Sequence, residues 1–148
     1  MKNYLFTLFV LCGICAFSQQ STQQMKRTQP QNATFYNSKG GYDGRSRTSG
    51  NTTYYYGANG KMEGRAVTHG NTTRYYDVNG RYSGYSSSNG NTTRYYNSNG
   101  TNAGRSIQSG NTTRYYDSTG KFSGRTDTHG NTTRFYNSDG TNAGRKTK

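Results

Sequence analysis

Residues 69–84 read HGNTTRYYDVNGRYSG, and close copies of this stretch recur every 20 residues along the chain. Three ladders of glycine share this period: Gly40, Gly60, Gly80, Gly100, Gly120 and Gly140; Gly44, Gly64, Gly84, Gly104, Gly124 and Gly144; and Gly50, Gly70, Gly90, Gly110 and Gly130. One register without insertion or deletion is typical of solenoids and arrays, whose units bury a face only against their neighbours. We therefore predict one elongated domain of six repeat units over residues 31–148.

Each unit has the pattern of two short strands and two turns. The segment TTRYYD is rich in Thr and Tyr, which favour strands. Asn79-Gly80 follows it, and Asn-Gly is the strongest short-range hairpin signal because both residues tolerate positive φ. His69-Gly70 belongs to the second turn. The sequence predicts an all-β fold of tandem 20-residue β-hairpins, forming an elongated antiparallel meander or β-solenoid.

Two registers of the hairpin are compatible with this pattern. A two-residue Asn-Gly loop places Tyr75 opposite Gly84 and Asp77 opposite Tyr82, so that an aromatic ring covers the bare glycine backbone. A four-residue loop places Tyr75 opposite Tyr82 instead. The sequence also leaves open which of Tyr75 and Tyr76 faces the interior.

The core has to be aromatic. After residue 20 the chain has no Leu, a single Ile (Ile107) and two Val (Val67 and Val78). Tyrosine and phenylalanine are the remaining source of apolar area, at about 150–250 Å² each, and tyrosine can keep its hydroxyl hydrated. Low hydrophobicity with a net charge of +13 is also the composition of disordered chains. The regular register and the well-placed turn glycines favour an ordered β-repeat over disorder.

A longer period of 40 residues is superimposed on the repeat. Units that read RYSG and KFSG alternate with units that read TNAG, and Asp77 and Asp117 alternate with Asn97 and Asn137. We expect either that neighbouring units present different faces, or that two units complete one structural turn.

The first residues are typical of an export signal. Lys2 precedes an apolar run that ends at Phe17, and a Gln-rich stretch follows. We predict a secretory signal peptide at residues 1–18 and a flexible linker at residues 19–30. The apolar run is shorter than the ~20 residues that a membrane-spanning helix needs, and no later segment is apolar enough, so we predict no transmembrane segment in the mature chain. The expected location is the periplasm, cell surface or exterior of a Gram-negative bacterium.

The residue types that catalysis commonly uses, Cys, Glu and His, are too few and too scattered in the mature chain to suggest an enzyme. Cys12 and Cys15 lie within the predicted signal peptide, so the mature chain has no thiol for disulfides, catalysis or metal binding. Glu63 is the only glutamate, and no pair of acids suggests an acid–base dyad. His69 and His129 occupy one repeat position, three units apart, and with no cysteine and no clustered carboxylate a zinc site would need other chains. We predict no catalytic residue, no cofactor and no metal site.

Two columns of arginine point to binding instead. The first consists of Arg74, Arg94, Arg114 and Arg134, and the second of Arg45, Arg65, Arg105, Arg125 and Arg145. Such columns, interleaved with aromatic rings, suit an extended polyanion. The alternative is that they only keep sheet edges soluble. The candidate binding residues are the first-column arginines and the ring pairs after them: Arg74, Tyr75, Tyr76, Arg94, Tyr95, Tyr96, Arg114, Tyr115, Tyr116, Arg134, Phe135 and Tyr136. The expected partner is a cell-surface glycan or another envelope polymer, ahead of nucleic acid, which an exported protein seldom meets.

The segments YYDVNGRYSG (residues 75–84) and YYDSTGKFSG (residues 115–124), each preceded by GNTTR, resemble the YD repeat of RHS-type bacterial surface and toxin-delivery proteins. More distantly, they are similar to MORN-type repeats and to cell-wall-binding repeats. These families are hairpin arrays that bind or scaffold. The resemblance implies an exported, non-enzymatic structural or binding module at the cell envelope. The alternatives are a binder of an acidic glycan or nucleic acid, and a self-associating fibre or sheet built from open-ended arrays.

Overall fold

The structure is a computed structural model that describes residues 32–148; the predicted signal peptide and linker lie outside the described residues. The described chain folds into twelve β-strands, each antiparallel to the next. The strands are β1 (Ala33–Tyr36), β2 (Tyr42–Ser49), β3 (Thr52–Tyr56), β4 (Met62–His69), β5 (Thr72–Asp77), β6 (Tyr82–Asn89), β7 (Thr92–Asn97), β8 (Asn102–Ser109), β9 (Thr112–Tyr116), β10 (Phe122–His129), β11 (Thr132–Asn137) and β12 (Asn142–Thr147).

The sheet closes on itself. β1 pairs with β2 on one side and with β12 on the other, which completes a 12-strand barrel. The predicted antiparallel meander of hairpins is confirmed, whereas the predicted elongated, open form is wrong. Closure follows from repetition, because every unit adds the same two-residue stagger along the strands. Six units accumulate a stagger of about 12 residues over 12 strands, which corresponds to a strand tilt of about 35°.

The closing seam between β1 and β12 uses the contacts of an ordinary unit junction. The guanidinium carbon of Arg145 lies 4.4 Å from the ring centroid of Tyr36. Asn142 Nδ2 donates a hydrogen bond to the carbonyl oxygen of Ser38 at 3.2 Å. The junction of β8 with β9 has the same two contacts. The sequence of a unit therefore already contains the side chains that join the last unit to the first.

The tighter of the two turns is Gly-Asn. His69 pairs with Thr72, which leaves Gly70 and Asn71 as a two-residue loop, and Gly70 has φ +55°. Two-residue hairpins need positive φ at such positions, because only those turns match the twist of the strands. The glycine of this ladder is therefore required by the turn itself.

The Asn-Gly turn has a three-residue loop. Asp77 N donates to the carbonyl oxygen of Arg81 at 3.0 Å, and Gly80, at φ +78°, donates to the carbonyl oxygen of Asp77 at 3.1 Å. Further from the turn on the same two strands, Tyr75 pairs with Gly84, as the first predicted register requires. Tyr82, however, lies opposite Tyr76 rather than opposite Asp77, because the register shifts by one residue at a β-bulge between these two pairs.

The 40-residue alternation corresponds to two ways of closing this turn. In the Asp units, Asp77 Oδ1 accepts hydrogen bonds from the backbone nitrogens of Asn79 and Arg81 at 2.9 and 2.8 Å. In the next unit the accepting oxygen moves two residues along the chain, and Asn99 Oδ1 accepts from Thr101 N at 3.1 Å and from Thr101 Oγ1 at 2.7 Å. Both arrangements satisfy the exposed backbone of the loop, which explains how two sequences support one backbone shape.

The first residue of each aromatic pair faces the interior of the barrel. Tyr75, Tyr95 and Tyr115 are buried, and so is Phe135 at the equivalent position. The hydroxyls of Tyr75 and Tyr95 pair with buried serine hydroxyls across the strands at 2.9 and 2.8 Å. The predicted aromatic core is therefore confirmed, and burial does not cost these phenols their hydrogen bonds.

One interior position differs from its equivalents. Five units place Ser46, Ala66, Ser86, Ser106 or Thr126 there, all buried. The last unit places Lys146 there, 1% exposed, between Phe35 of β1 and Thr133 of β11. Burial lowers the pKa of Lys146 to about 8, and the charge of Lys148 contributes in the same direction. This lysine sits on the strand that closes the barrel.

Candidate binding surface on the outer wall

The outer wall carries a ring of cross-strand pairs, one per unit. Because successive side chains of a strand alternate between faces, the residues next to the buried aromatic rings point outward. We call the twelve residues of these pairs the belt: Thr34–Arg45, Tyr54–Arg65, Arg74–Tyr85, Arg94–Arg105, Arg114–Arg125 and Arg134–Arg145.

The second arginine column is held by stacking on the second residue of each aromatic pair. Guanidinium carbons lie 4.4–5.3 Å from ring centroids in five units: Arg45 over Tyr56, Arg65 over Tyr76, Arg105 over Tyr116, Arg125 over Tyr136 and Arg145 over Tyr36. In the remaining unit Tyr85 replaces the arginine and stacks on Tyr96, with centroids 4.5 Å apart. A stacked guanidinium loses less freedom when it binds a ligand, so the belt is partly preorganised.

The candidate residues named from the sequence divide into two groups. The four first-column arginines, Arg74, Arg94, Arg114 and Arg134, are exposed on the outer wall, beside the half-buried Tyr76, Tyr96, Tyr116 and Tyr136. The other four, Tyr75, Tyr95, Tyr115 and Phe135, belong to the core and take no part in the outer surface. Sequence reasoning left out the second-column arginines as site residues, although their 20-residue spacing is the signal that identifies them.

Half of the belt consists of opposed arginines. Three consecutive pairs, Arg94–Arg105, Arg114–Arg125 and Arg134–Arg145, place like charges directly across β7–β8, β9–β10 and β11–β12. Such pairs have Cβ atoms about 4.5–5.5 Å apart, and facing like charges destabilise a sheet. We call these six residues the arginine sector. The other half of the belt pairs each arginine with Thr or Tyr and carries no such repulsion.

One carboxylate contacts the arginine sector. Asp127 Oδ2 lies 3.1 Å from Arg125 Nε, and Asp127 Oδ1 accepts a hydrogen bond from Thr112 Oγ1 at 2.8 Å. Burial opposes ionisation of Asp127, but the hydrogen bonds from Thr112 and Arg125 outweigh it and lower the pKa of the carboxyl group. Among residues 32–148, no ion pair involves the other five arginines of the sector. Their charge is therefore uncompensated within the described chain.

An aromatic patch adjoins the sector. Tyr76 and Tyr82 meet edge to face, with ring centroids 6.0 Å apart, and Tyr82 is 41% exposed. The stacked Tyr85 and Tyr96 continue the patch on β6 and β7. The outer wall thus offers ring surfaces beside positive charge.

Residues 32–148 include no group of three or more His, Cys, Asp or Glu side chains placed to hold a metal ion. The same part of the chain has no helix with the length and apolar character of a membrane span.

No protein-family model matches the chain, and no curated protein matches it in sequence. The resemblance to YD repeats therefore stays a prediction.

Proposed function

We propose that this protein is an exported, non-enzymatic binding module of the bacterial envelope, and that its arginine sector holds an anionic polymer. The observation that supports this proposal is the set of three opposed arginine pairs with almost no internal counter-charge. Because an anionic group that binds over opposed arginines offsets their repulsion and accepts charge-assisted hydrogen bonds, ligand binding relieves a cost that is present in the free protein.

The test compares variants of equal net charge. Arg94 and Arg134 are exposed sector residues, whereas Arg47 and Arg81 are exposed arginines outside the belt. The double variant Arg94→Gln/Arg134→Gln should bind heparin, used as a general polyanion probe, about tenfold more weakly per lost arginine. The control Arg47→Gln/Arg81→Gln should stay within about threefold of the unmutated protein, since it removes only long-range attraction.

Salt provides a second readout. Affinity should fall steeply between about 50 and 200 mM salt, and the sector variant should have a shallower slope because it releases fewer counterions. If the two double variants lost the same affinity for heparin, net charge alone would explain the binding, and this result would contradict a dedicated binding surface. No binding of any anionic polymer at low salt would refute the proposed function itself.

The closed sheet bears on the alternative of a self-assembling fibre. That hypothesis requires open array ends, but the first and last strands pair with each other and leave no free edge between them. Self-association stays a prediction, which sedimentation over a concentration series can check.

A further inference from the structure

We infer, on the basis of the proposed function, that the polymer is a flexible acidic polysaccharide that bends around the barrel along the arginine sector, from β7 to β12. Two properties of the outer wall lead to this path and to this class of polymer. The opposed arginine pairs point in different directions, and guanidinium groups already lie over the aromatic rings of the sector.

The opposed pairs form an arc at one level of the barrel. Six units share the twelve strands of the closed sheet, so neighbouring pairs differ in outward direction by about 60°. Arg105 pairs with Tyr116, two residues beyond Arg114 on β9. The strand tilt compensates this stagger, so the belt runs around the wall and does not climb along it. The sector is therefore curved in the direction in which its charges follow one another.

A straight, stiff polyanion meets only one pair of this arc. The backbone of the wall has a radius of roughly 10 Å, so a line that touches it at the middle pair, Arg114–Arg125, stands about 5 Å clear of it at each neighbouring pair. Arg105 and Arg145 can reach across that gap only by leaving the rings on which they lie. Duplex DNA, with a persistence length of ~50 nm, does not bend at such a radius. A flexible single chain can follow the wall and contact all three pairs.

The aromatic rings of the sector favour an acidic polysaccharide over single-stranded nucleic acid. Proteins that bind single strands offer aromatic side chains on which the bases stack. In the sector arginine already occupies such faces, because guanidinium carbons lie 5.1 Å from the ring centroid of Tyr116 and 4.5 Å from that of Tyr136. A base that stacks on the same face displaces the arginine that would bind its phosphate. An acidic polysaccharide needs no stacking platform, since its anionic groups accept hydrogen bonds from the guanidinium groups directly.

The experiment measures the affinity of the full-length chain for heparin oligosaccharides, from a disaccharide to a dodecasaccharide, by calorimetry at about 150 mM salt, where diffuse attraction is screened. A chain that bends along the arc adds contacts until it reaches all three pairs. The affinity should therefore rise at least about tenfold with length and then level off. Single-stranded and duplex DNA of the same total charge as the dodecasaccharide should each bind about tenfold more weakly than it does.

A matched pair of double variants tests the path of the polymer. Arg94→Gln/Arg105→Gln removes the opposed pair at one end of the arc, so the affinity should level off at a shorter oligosaccharide. Arg47→Gln/Arg81→Gln removes the same charge from exposed positions outside the belt and should leave that length unchanged.

An affinity that does not depend on oligosaccharide length, or the same levelling length in both double variants, would overturn the bent path. Equal or tighter binding of single-stranded or duplex DNA would overturn the assigned class of polymer. Either result would leave the proposed function intact, because an anionic polymer still binds. If none of these probes binds even at low salt, the proposed function fails as well.

Discussion

Lys146 should weaken the barrel at neutral pH, and replacing it with Met should stabilise the protein. Its equivalents in the other units are small and uncharged, and it is 1% exposed at the closing strand. Met keeps the length of the aliphatic stem and fills the same space without a charge. Lys146 also makes an interaction within the described chain, so the substitution measures the net cost of holding an ammonium group in this position.

The magnitude follows from the pKa of Lys146. Burial lowers this pKa from 10.5 to about 8, so the folded state favours the neutral amine. The penalty is complete below about pH 8, and it is relieved as the pH rises towards 10.5, where the unfolded chain also loses its proton. At ~1.36 kcal/mol per pH unit, the penalty has an upper limit of about 3 kcal/mol at pH 7. The effective dielectric constant of a protein interior is higher than that of a dry medium, so we expect about 1–2 kcal/mol.

The assay is urea unfolding of the unmutated protein and of Lys146→Met between pH 6.5 and pH 9.5. The variant should be more stable by about 1–2 kcal/mol at pH 7, which corresponds to roughly 4 °C in Tm per kcal/mol, and the difference should shrink as the pH approaches 9.5. Lys121→Met, in an exposed turn, is the control and should show no such pH dependence. A difference that is constant with pH, or a destabilised variant at pH 7, would refute the reasoning.

Three further predictions concern the turns, the bulge and the seam. Gly84→Ala should cost about 2–4 kcal/mol, because Gly84 has φ +129° and a Cβ there would collide with the carbonyl oxygen of Tyr96. Gly80→Ala should cost only about 1 kcal/mol, since its turn has open space around it, and equal costs in denaturant unfolding would contradict the close approach of Gly84 to Tyr96. Burial opposes ionisation of Asp117, but hydrogen bonds within its turn outweigh this effect and lower the pKa of its carboxyl group. The stabilisation by the ionised carboxylate should therefore be present above about pH 4 and be lost as the pH falls through the folded-state pKa. Acid unfolding curves of Asp117→Asn should lack this pH-dependent loss. Arg145→Ala should remove about 0.5–1 kcal/mol of cation–π attraction at the seam and speed hydrogen exchange in β1 and β12, whereas uniform exchange around the barrel would argue against a weakened seam.

Several features of this protein follow from the sequence by itself. The Thr- and Tyr-rich segments, the turn glycines and the shortage of aliphatic residues predict hairpins with an aromatic core, and the pairing of Tyr75 with Gly84 is one of the two registers they allow. The two arginine columns are visible as a period of 20 residues. These properties are local, because strand preference, turn conformation and core composition depend on residues within one unit.

Only the tertiary structure decided that the array is closed, that Tyr75 faces inward while Tyr76 stays outside, and that six of the nine belt arginines oppose another arginine. Closure depends on the stagger between neighbouring strands, summed over all twelve strands. The small contribution of one repeat does not reveal whether the sum closes the sheet. Once the barrel closes, one face of every strand is interior, and the choice between adjacent tyrosines follows from it. Cross-strand pairing then places arginines that lie 11 residues apart in sequence directly opposite each other, because the bulge and the three-residue loop together set the final register.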